Sequence, residues 1–308
     1  MKKRLLILTV IAVLTVSALG ACTKNGDAGS DAAAATSAPV NTGTGAKATD
    51  MPAVTGDAGT SDITADPAQD GTDTSDGSAA APAEGLTVTT EVADGWSEKN
   101  GVYTITKAGE YKFSGTLSEG RIVVNAKGQE VSVILSGVTL SSKEDSVIYI
   151  ENAEEATVVA QNGTVNTLND NRARKVGNQE LAGNACIYSK DDLSVQGQGT
   201  LLINASYNKG IHTKNDLKIK NLTLEVNAVG TAIQGNDSVT IKSGNITLVS
   251  TENDGITTKD TDVSSKGKQR GVVTIESGTV SITAKDECIN AAYDVQIDPS
   301  AQVTQQKY

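Results

Sequence analysis

The segment Gly210-Ile211-His212-Thr213-Lys214-Asn215-Asp216-Leu217-Lys218-Ile219 runs from a small residue and an Ile, through a turn of polar residues, into an alternating strand. The same order recurs along the chain. Cys186-Ile187-Tyr188-Ser189-Lys190-Asp191-Asp192-Leu193-Ser194-Val195 precedes it, and Ala232-Ile233-Gln234-Gly235-Asn236-Asp237-Ser238-Val239-Thr240-Ile241 follows. Gly255-Ile256-Thr257-Thr258-Lys259-Asp260 begins a fourth copy, whose strand is delayed by an insertion to Val272-Val273-Thr274-Ile275. Cys288-Ile289-Asn290-Ala291-Ala292-Tyr293-Asp294-Val295-Gln296-Ile297 is the last, and Val147-Ile148-Tyr149-Ile150 reads as an earlier, looser one. The anchor Ile residues 187, 211, 233, 256 and 289 are spaced by 24, 22, 23 and 33, the long step carrying the insertion from about Thr261 to Arg270.

A period near 23 also fits leucine-rich repeats, but no helical period is visible here. Each unit instead reads as short alternating strands separated by Gly, Asn and Asp turns, as in Leu217-Lys218-Ile219, Asn221, Leu222-Thr223-Leu224-Glu225-Val226. The fold expected is all-β, a right-handed parallel β-helix of about 22–24 residues per coil. Equivalent positions then stack at about 4.8 Å, the spacing of neighbouring strands. The anchor Ile residues form one inward ladder. Leu193, Leu217, Val239, Val272 or Val273, and Val295 form another, and Ile203, Val226, Leu248 and Ile282 a third. The residue before each anchor is always small, which predicts a crowded inward turn.

Composition agrees. Of 308 residues only one is Trp, one Phe and seven Tyr, so the core is built from aliphatic side chains with little room for rings. The same scarcity argues against an immunoglobulin-type core and against an aromatic platform for single strands. A net charge of −11 excludes a nucleic-acid backbone as a natural partner. One His and three Cys leave little for a zinc site or a His-based triad. Cys186 and Cys288 lie four strand spacings apart, roughly 19 Å. Bridged Cα atoms lie within about 7 Å, so both are expected as free thiols. Trp96 and Phe113 precede the repeats and are expected to cap the first coil; residues 169–183, with Arg172, Arg174 and Lys175, read as a polar loop.

Three regions are expected. Lys2, Lys3 and Arg4 precede an apolar run from Leu5 to Leu19, a secretory signal over residues 1–21. Leu19-Gly20-Ala21-Cys22 resembles the lipobox of bacterial lipoproteins, which implies that Cys22 is acylated and becomes the first mature residue. The membrane is then a partner through lipid, each buried CH₂ contributing about 0.8 kcal/mol. Residues 22–85 read as a disordered tether, with ten acids against two bases after Cys22 and no aromatic residue. Residues 86–308 form the β-helix.

Two outward columns are candidates for chemistry. Side chains alternate along a strand, so the residue after each anchor Ile should face outward. Tyr149, Tyr188, His212, Gln234 and Asn290 occupy that place and could offer rings and amides to a sugar. The turns supply Asp191, Asp192, Asp216 and Asp237 in one column and Asp254, Asp286 and Glu287 in a second. Stacked carboxylates repel unless a cation lies between them, and calcium takes six to eight oxygens. The plainer readings are Asx turns for the acids and packing pairs for the rings.

The stretches Gly109-Glu110-Tyr111-Lys112-Phe113-Ser114-Gly115-Thr116-Leu117, Ala185 to Leu193, and Tyr207-Asn208-Lys209-Gly210-Ile211 resemble a family of bacterial, chiefly clostridial, cell-surface proteins described as carbohydrate-binding domain proteins. The resemblance covers about residues 95–300. It implies a pectate-lyase-type parallel β-helix, calcium as cofactor, and a polysaccharide partner, cellulose-like or acidic and galacturonan-like. It also implies an extracytoplasmic protein anchored on the outer face of a Gram-positive membrane, taken here as a monomer. Family coils carry an Asp-Asp-Gly-Ile turn; here an acidic pair is approached only at Asn253-Asp254 and Asp286-Glu287. The family also continues into further coils beyond a point such as Tyr308.

Catalysis is the rival expectation. Galacturonan hydrolases of this fold use an Asp-Asp pair, a His and an Arg-Lys pair, which Asp191, Asp192 and His212 match only in part. A lyase needs a cationic base, for which Lys268 and Arg270 are the candidates. The primary expectation is noncatalytic binding of polysaccharide, the alternatives being a lyase or hydrolase, or a purely structural surface protein.

Overall fold

The computed structural model describes residues 84–173 and 183–308, all within one compact unit, Ala81–Tyr308. Residues 1–83, with the signal, Cys22 and all but the end of the tether, lie outside them, as do residues 174–182 of the expected polar loop. The described residues are all-β, without a helix.

Each repeat contributes three strands to three parallel ladders. The first contains Ile148–Asn152, Ala185–Ser189, Lys209–Thr213, Ile233–Gly235, Ile256–Thr257 and Ile289–Asn290. The second contains Glu155–Ala160, Asp192–Gly197, Asp216–Lys220, Ser238–Ile241, Val272–Ile275 and Asp294–Ile297. The third contains Val165–Asp170, Thr200–Ala205, Leu222–Ala228, Gly244–Ser250, Thr279–Ala284 and Gln302–Lys307. Successive repeats pair strand on strand, and the last three strands pair, among the described residues, only with the repeat before them. The opening strand Glu130–Ser142 pairs with Glu155–Ala160 through its first half and with Val165–Asp170 through its second. It thereby joins the second and third ladders into one 15-stranded sheet, while the first belongs to a nine-stranded sheet.

The register follows the sequence alignment. Ile148, Ile187, Ile211, Ile233, Ile256 and Ile289 are paired in succession. Leu193, Leu217, Val239, Val273 and Val295 form the second line, so Val273 and not Val272 takes the inward place. Ile203, Val226, Leu248 and Ile282 form the third. The strand Leu222–Ala228 is buried at every second residue, the pattern of a sheet with one face on a core. Asn221 turns the chain between two strands at φ 61°, a left-handed conformation that Asn tolerates.

The small residues before the anchors have a local cause. A Cβ on Gly210 would meet Cγ1 of Val226 at 2.2 Å and the Ala232 carbonyl at 2.6 Å. One on Gly255 would meet Cγ2 of Ile282 at 2.3 Å. The third inward line thus crowds the turn that enters the first. Cys186 and Cys288 are both buried and are not bridged to each other, as their separation requires.

Two expectations need correcting. The core does hold rings, at its opening end: Tyr111 and Phe113 are fully buried. Phe113 meets Tyr103 edge-on at 5.9 Å, and Trp96 stacks on Tyr103 at 6.1 Å. The strands there are irregular, with a register shift between Phe113 and Gly115. Arg172 is also not a solvated loop residue. It is buried, with Nε and Nη2 on the carboxylate of buried Asp170 at 2.7 and 2.5 Å, and with further bonds to the Gly183 and Ala185 carbonyls. A guanidinium is tolerated inside only when its donors are taken up in this way.

Truncating the inward ladder should be costly where both neighbouring repeats are in place. Ile211→Ala should lose about 2–5 kcal/mol, the range for deleting a fully buried aliphatic side chain. Val295→Ala, on an exposed strand of the last repeat, should cost much less. Urea denaturation of the two variants measures the difference.

Candidate functional site

The residues after the anchors stand in one line: Tyr149 beside Tyr188, Tyr188 beside His212, then Gln234, Thr257 and Asn290. The rings of Tyr149 and Tyr188 stack at 5.8 Å, and His212 meets Tyr188 edge-on at 5.2 Å. Tyr149 and Tyr188 pack with Val123 and Ala185 in a second small cluster separate from the main core. The rings thus do leave the core side of the sheet, but they are not open to solvent. Tyr149, Tyr188 and His212 are 7%, 5% and 6% exposed, and Gln234 is 3% exposed. Only Asn290, on the last rung, is exposed. The expected open sugar platform is corrected accordingly: facing away from one core placed these side chains in another.

Buried polar groups must find partners, and here they find each other. His212 Nδ1 lies 2.5 Å from Asn184 Oδ1, and Nε2 lies 3.1 Å from Gln234 Nε2. Gln234 Nε2 also donates to Asn236 Oδ1 at 2.6 Å. His212 Nε2 also lies 3.2 Å from Asn236 Oδ1. With Nδ1–H donating to Asn184, the neutral ring accepts from Gln234 at Nε2 and leaves Asn236 Oδ1 to the Gln234 amide, a proton position assigned from the hydrogen bonds. Burial, and then the charge of Lys209, lower the His212 pKa to about 4, so the ring is neutral near pH 7. Gln234 Oε1 is left buried without a partner. Asn184 and Asn236 were not singled out from sequence. Each stands three residues from an anchor Ile, and that offset was the available signal.

The first acidic column does not gather as a cation site, which corrects the expectation for Asp191, Asp192, Asp216 and Asp237. Among the described residues they form no group of three whose ligating atoms lie within 4.8 Å of one another. Asp191 Oδ2 accepts from the Ala153 amide at 2.9 Å, and Asp192 Oδ1 from the Asp216 amide at 3.2 Å. The insertion supplies cations of its own. Lys268 Nζ lies 2.7 Å from Asp216 and 3.2 Å from the Ser238 hydroxyl. Arg270 Nε lies 2.8 Å from Asp237, a close ion pair without an aligned hydrogen bond. Burial, and then a hydrogen bond shared with Asp260, still push the Asp237 carboxyl up to about 6. Burial also raises Asp192, in a cleft of about 170 Å³ lined by Glu155, Ser194, Asp216 and Lys268. Among the described residues His212 bonds to the amides of Asn184 and Gln234 and not to Asp191 or Asp192.

The second column does gather. Asp254, Asp286 and Glu287 each place a carboxylate oxygen within 4.8 Å of the others. Asp254 is buried, Asp286 exposed and Glu287 half-buried. The Asp254 carboxylate is held in place: Oδ2 accepts from Thr257 Oγ1 and Asn290 Nδ2, both at 3.0 Å, and Oδ1 from the Glu287 amide at 3.1 Å. The Glu287 pKa is raised, chiefly by a hydrogen bond shared with Asp254, then by burial and by Asp286. A shared proton of this kind relieves repulsion between carboxylates, which is the service a cation performs.

The family of carbohydrate-binding domain-containing proteins matches residues 99–307. This chain belongs to it. A protein of Acetivibrio thermocellus, described as carbohydrate-binding domain-containing, is 38% identical over 143 residues, 46% of this chain and 50% of the relative. The match thus spans half of the length of that curated relative. A solved structure described as a polysaccharide lyase-like protein from C. thermocellum, a gadolinium derivative, aligns with a TM-score of 0.58 and 33% identity, over 71% of this chain and 92% of that one. The family and this neighbour associate the chain with polysaccharide.

The buried imidazole makes the first ladder acid-sensitive. Its folded pKa lies below the 6.5 of a free imidazole. Between pH 6.5 and about 4 the unfolded chain therefore binds a proton that the folded chain refuses, and stability falls as pH falls through that window. In His212→Gln this component should be absent. Melting temperatures of both proteins at pH 7, 5.5 and 4.5 should converge toward acid, or the variant should become the more stable.

Proposed function

We propose that the protein is a noncatalytic, lipid-anchored polysaccharide receptor of the cell surface. Its three ladders form a right-handed parallel β-helix, and its binding depends on calcium held by Asp254, Asp286 and Glu287. The observation that carries this reading is the gathered carboxylate trio, ordered on one side by Thr257 and Asn290. Carboxylates are hard oxygen ligands of the kind calcium prefers, and the ion completes six to eight oxygens with carbonyls and waters. When bound, calcium would supply open coordination positions for the carboxylates and hydroxyls of an acidic, galacturonan-like polymer. Asn290, exposed beside the trio, would then donate to the sugar. The noncatalytic part of the reading is supported by Lys268 and Arg270, the candidate bases, each of which is committed to aspartates. Acylation at Cys22 and placement on the outer membrane face follow from the lipobox-like Leu19-Gly20-Ala21-Cys22.

Calorimetry with calcium tests the trio. Asp286→Asn and Glu287→Gln should each weaken calcium by about tenfold or more, since affinity follows the charge count of the ligands. Because the Glu287 pKa is raised, protons should compete and affinity should fall as the pH is lowered. Retention on polygalacturonate that survives EDTA unchanged would count against calcium dependence. Release of unsaturated or reducing ends at high protein load would count against the noncatalytic reading. Cys22→Ser should move the protein from the membrane fraction into the medium.

A further inference from the structure

The outward face of the large sheet carries a shallow groove of about 440 Å³, within the ~300–1,000 Å³ of small-molecule sites. Lys112 pairs with Ile134 and Ile134 with Val159, so these three side chains stand in a row across adjacent strands. All three are half-buried, while their strand neighbours Phe113, Leu135 and Val158 are sealed in the core. The row therefore faces away from the core. The turn residues Gln161, Asn162 and Gln198 complete the lining.

The polar side chains of this groove, like those of Lys218 and Lys220 on the same sheet, are available to a ligand. Elsewhere on the same faces, Ser194 donates to Glu155, Asp216 meets Ser238 and Lys268, and Lys242 meets Glu276. Among the described residues the side chains of Lys112, Asn162 and Gln198 have no such partner, and Gln161 Oε1 has none either. Among the described residues no carboxylate lines the groove and Lys112 is the one ionised group in its lining, in a chain of net charge −11.

We propose that this groove holds a hexuronate unit of the polysaccharide without a metal ion. The apolar C–H face of the sugar ring rests on Ile134 and Val159. Its carboxylate meets the Lys112 ammonium, and its hydroxyls meet the amides of Gln161, Asn162 and Gln198. A lone ammonium above an aliphatic floor selects an anionic sugar over a neutral one, because a neutral sugar leaves that charge unpaired. The proposal rests on the polysaccharide reading above but not on its calcium site.

The test is calorimetry of the full-length protein in EDTA, with tri-galacturonate as the anionic probe and cellotriose as the neutral one. Tri-galacturonate should bind at least about tenfold more tightly, one charge-assisted contact being worth that much. Lys112→Met, which keeps the aliphatic stem, should remove that preference with an unchanged melting temperature. Ile134→Asp should abolish binding of both sugars. No binding in EDTA, equal affinities for the two probes, or a preference that survives Lys112→Met would each overturn the groove. No binding in EDTA together with intact calcium-dependent retention would leave the carboxylate trio standing while the groove fails. Binding in EDTA without any calcium dependence would do the reverse.

Discussion

Hydrogen bonding between each strand and its counterpart one repeat away puts every residue about 4.8 Å from its equivalent. The rest of the structure depends on that constraint, because it stacks like on like. Aliphatic residues benefit: Ile187, Ile211, Ile233 and Ile256 lie one above another, fully buried. Rings benefit too, as Tyr149 and Tyr188 show. Amides and hydroxyls can be satisfied by neighbours in the stack. Carboxylates are the exception, since each acid placed over another adds repulsion that something must offset.

The two acidic columns offset it differently. Over Asp216 and Asp237 the ten-residue insertion brings Lys268 and Arg270, so the chain neutralises its own charge. Asp254, Asp286 and Glu287 have no such cation among the described ion pairs. Thr257, Asn290 and the Glu287 amide hold Asp254, and a hydrogen bond shared with Asp254, then burial, raise the Glu287 pKa. That difference, and not acidity as such, separates a structural column from a candidate cation site.

Much of this was legible before any coordinates. The anchor register, the second and third inward lines, the unbridged cysteines and the neighbourhood of Tyr149, Tyr188 and His212 follow from aligning repeats. Pairing at a fixed spacing turns sequence period directly into contact. The trio was also legible as a column, because its members sit in equivalent turns. The first column was misread because the alignment treated the insertion as a gap. Lys268 lies 52 residues from Asp216 and outside the repeat, so no periodic argument could bring them together.

The sequence by itself therefore determined the all-β class, the period, the inward residues and which side chains share a line. These are properties of a repeat, and a repeat is written in the order of residues. Only the tertiary structure decided which lines face solvent, which acids already have a cation, and which polar groups lack partners. Those properties depend on what covers each ladder. The rings join a second cluster, an insertion covers the first column, and among the described residues nothing pairs the side chains of Lys112, Asn162 and Gln198 beside Ile134 and Val159. Strand alternation assigns a side chain to one of two faces, but it does not say whether that face is open.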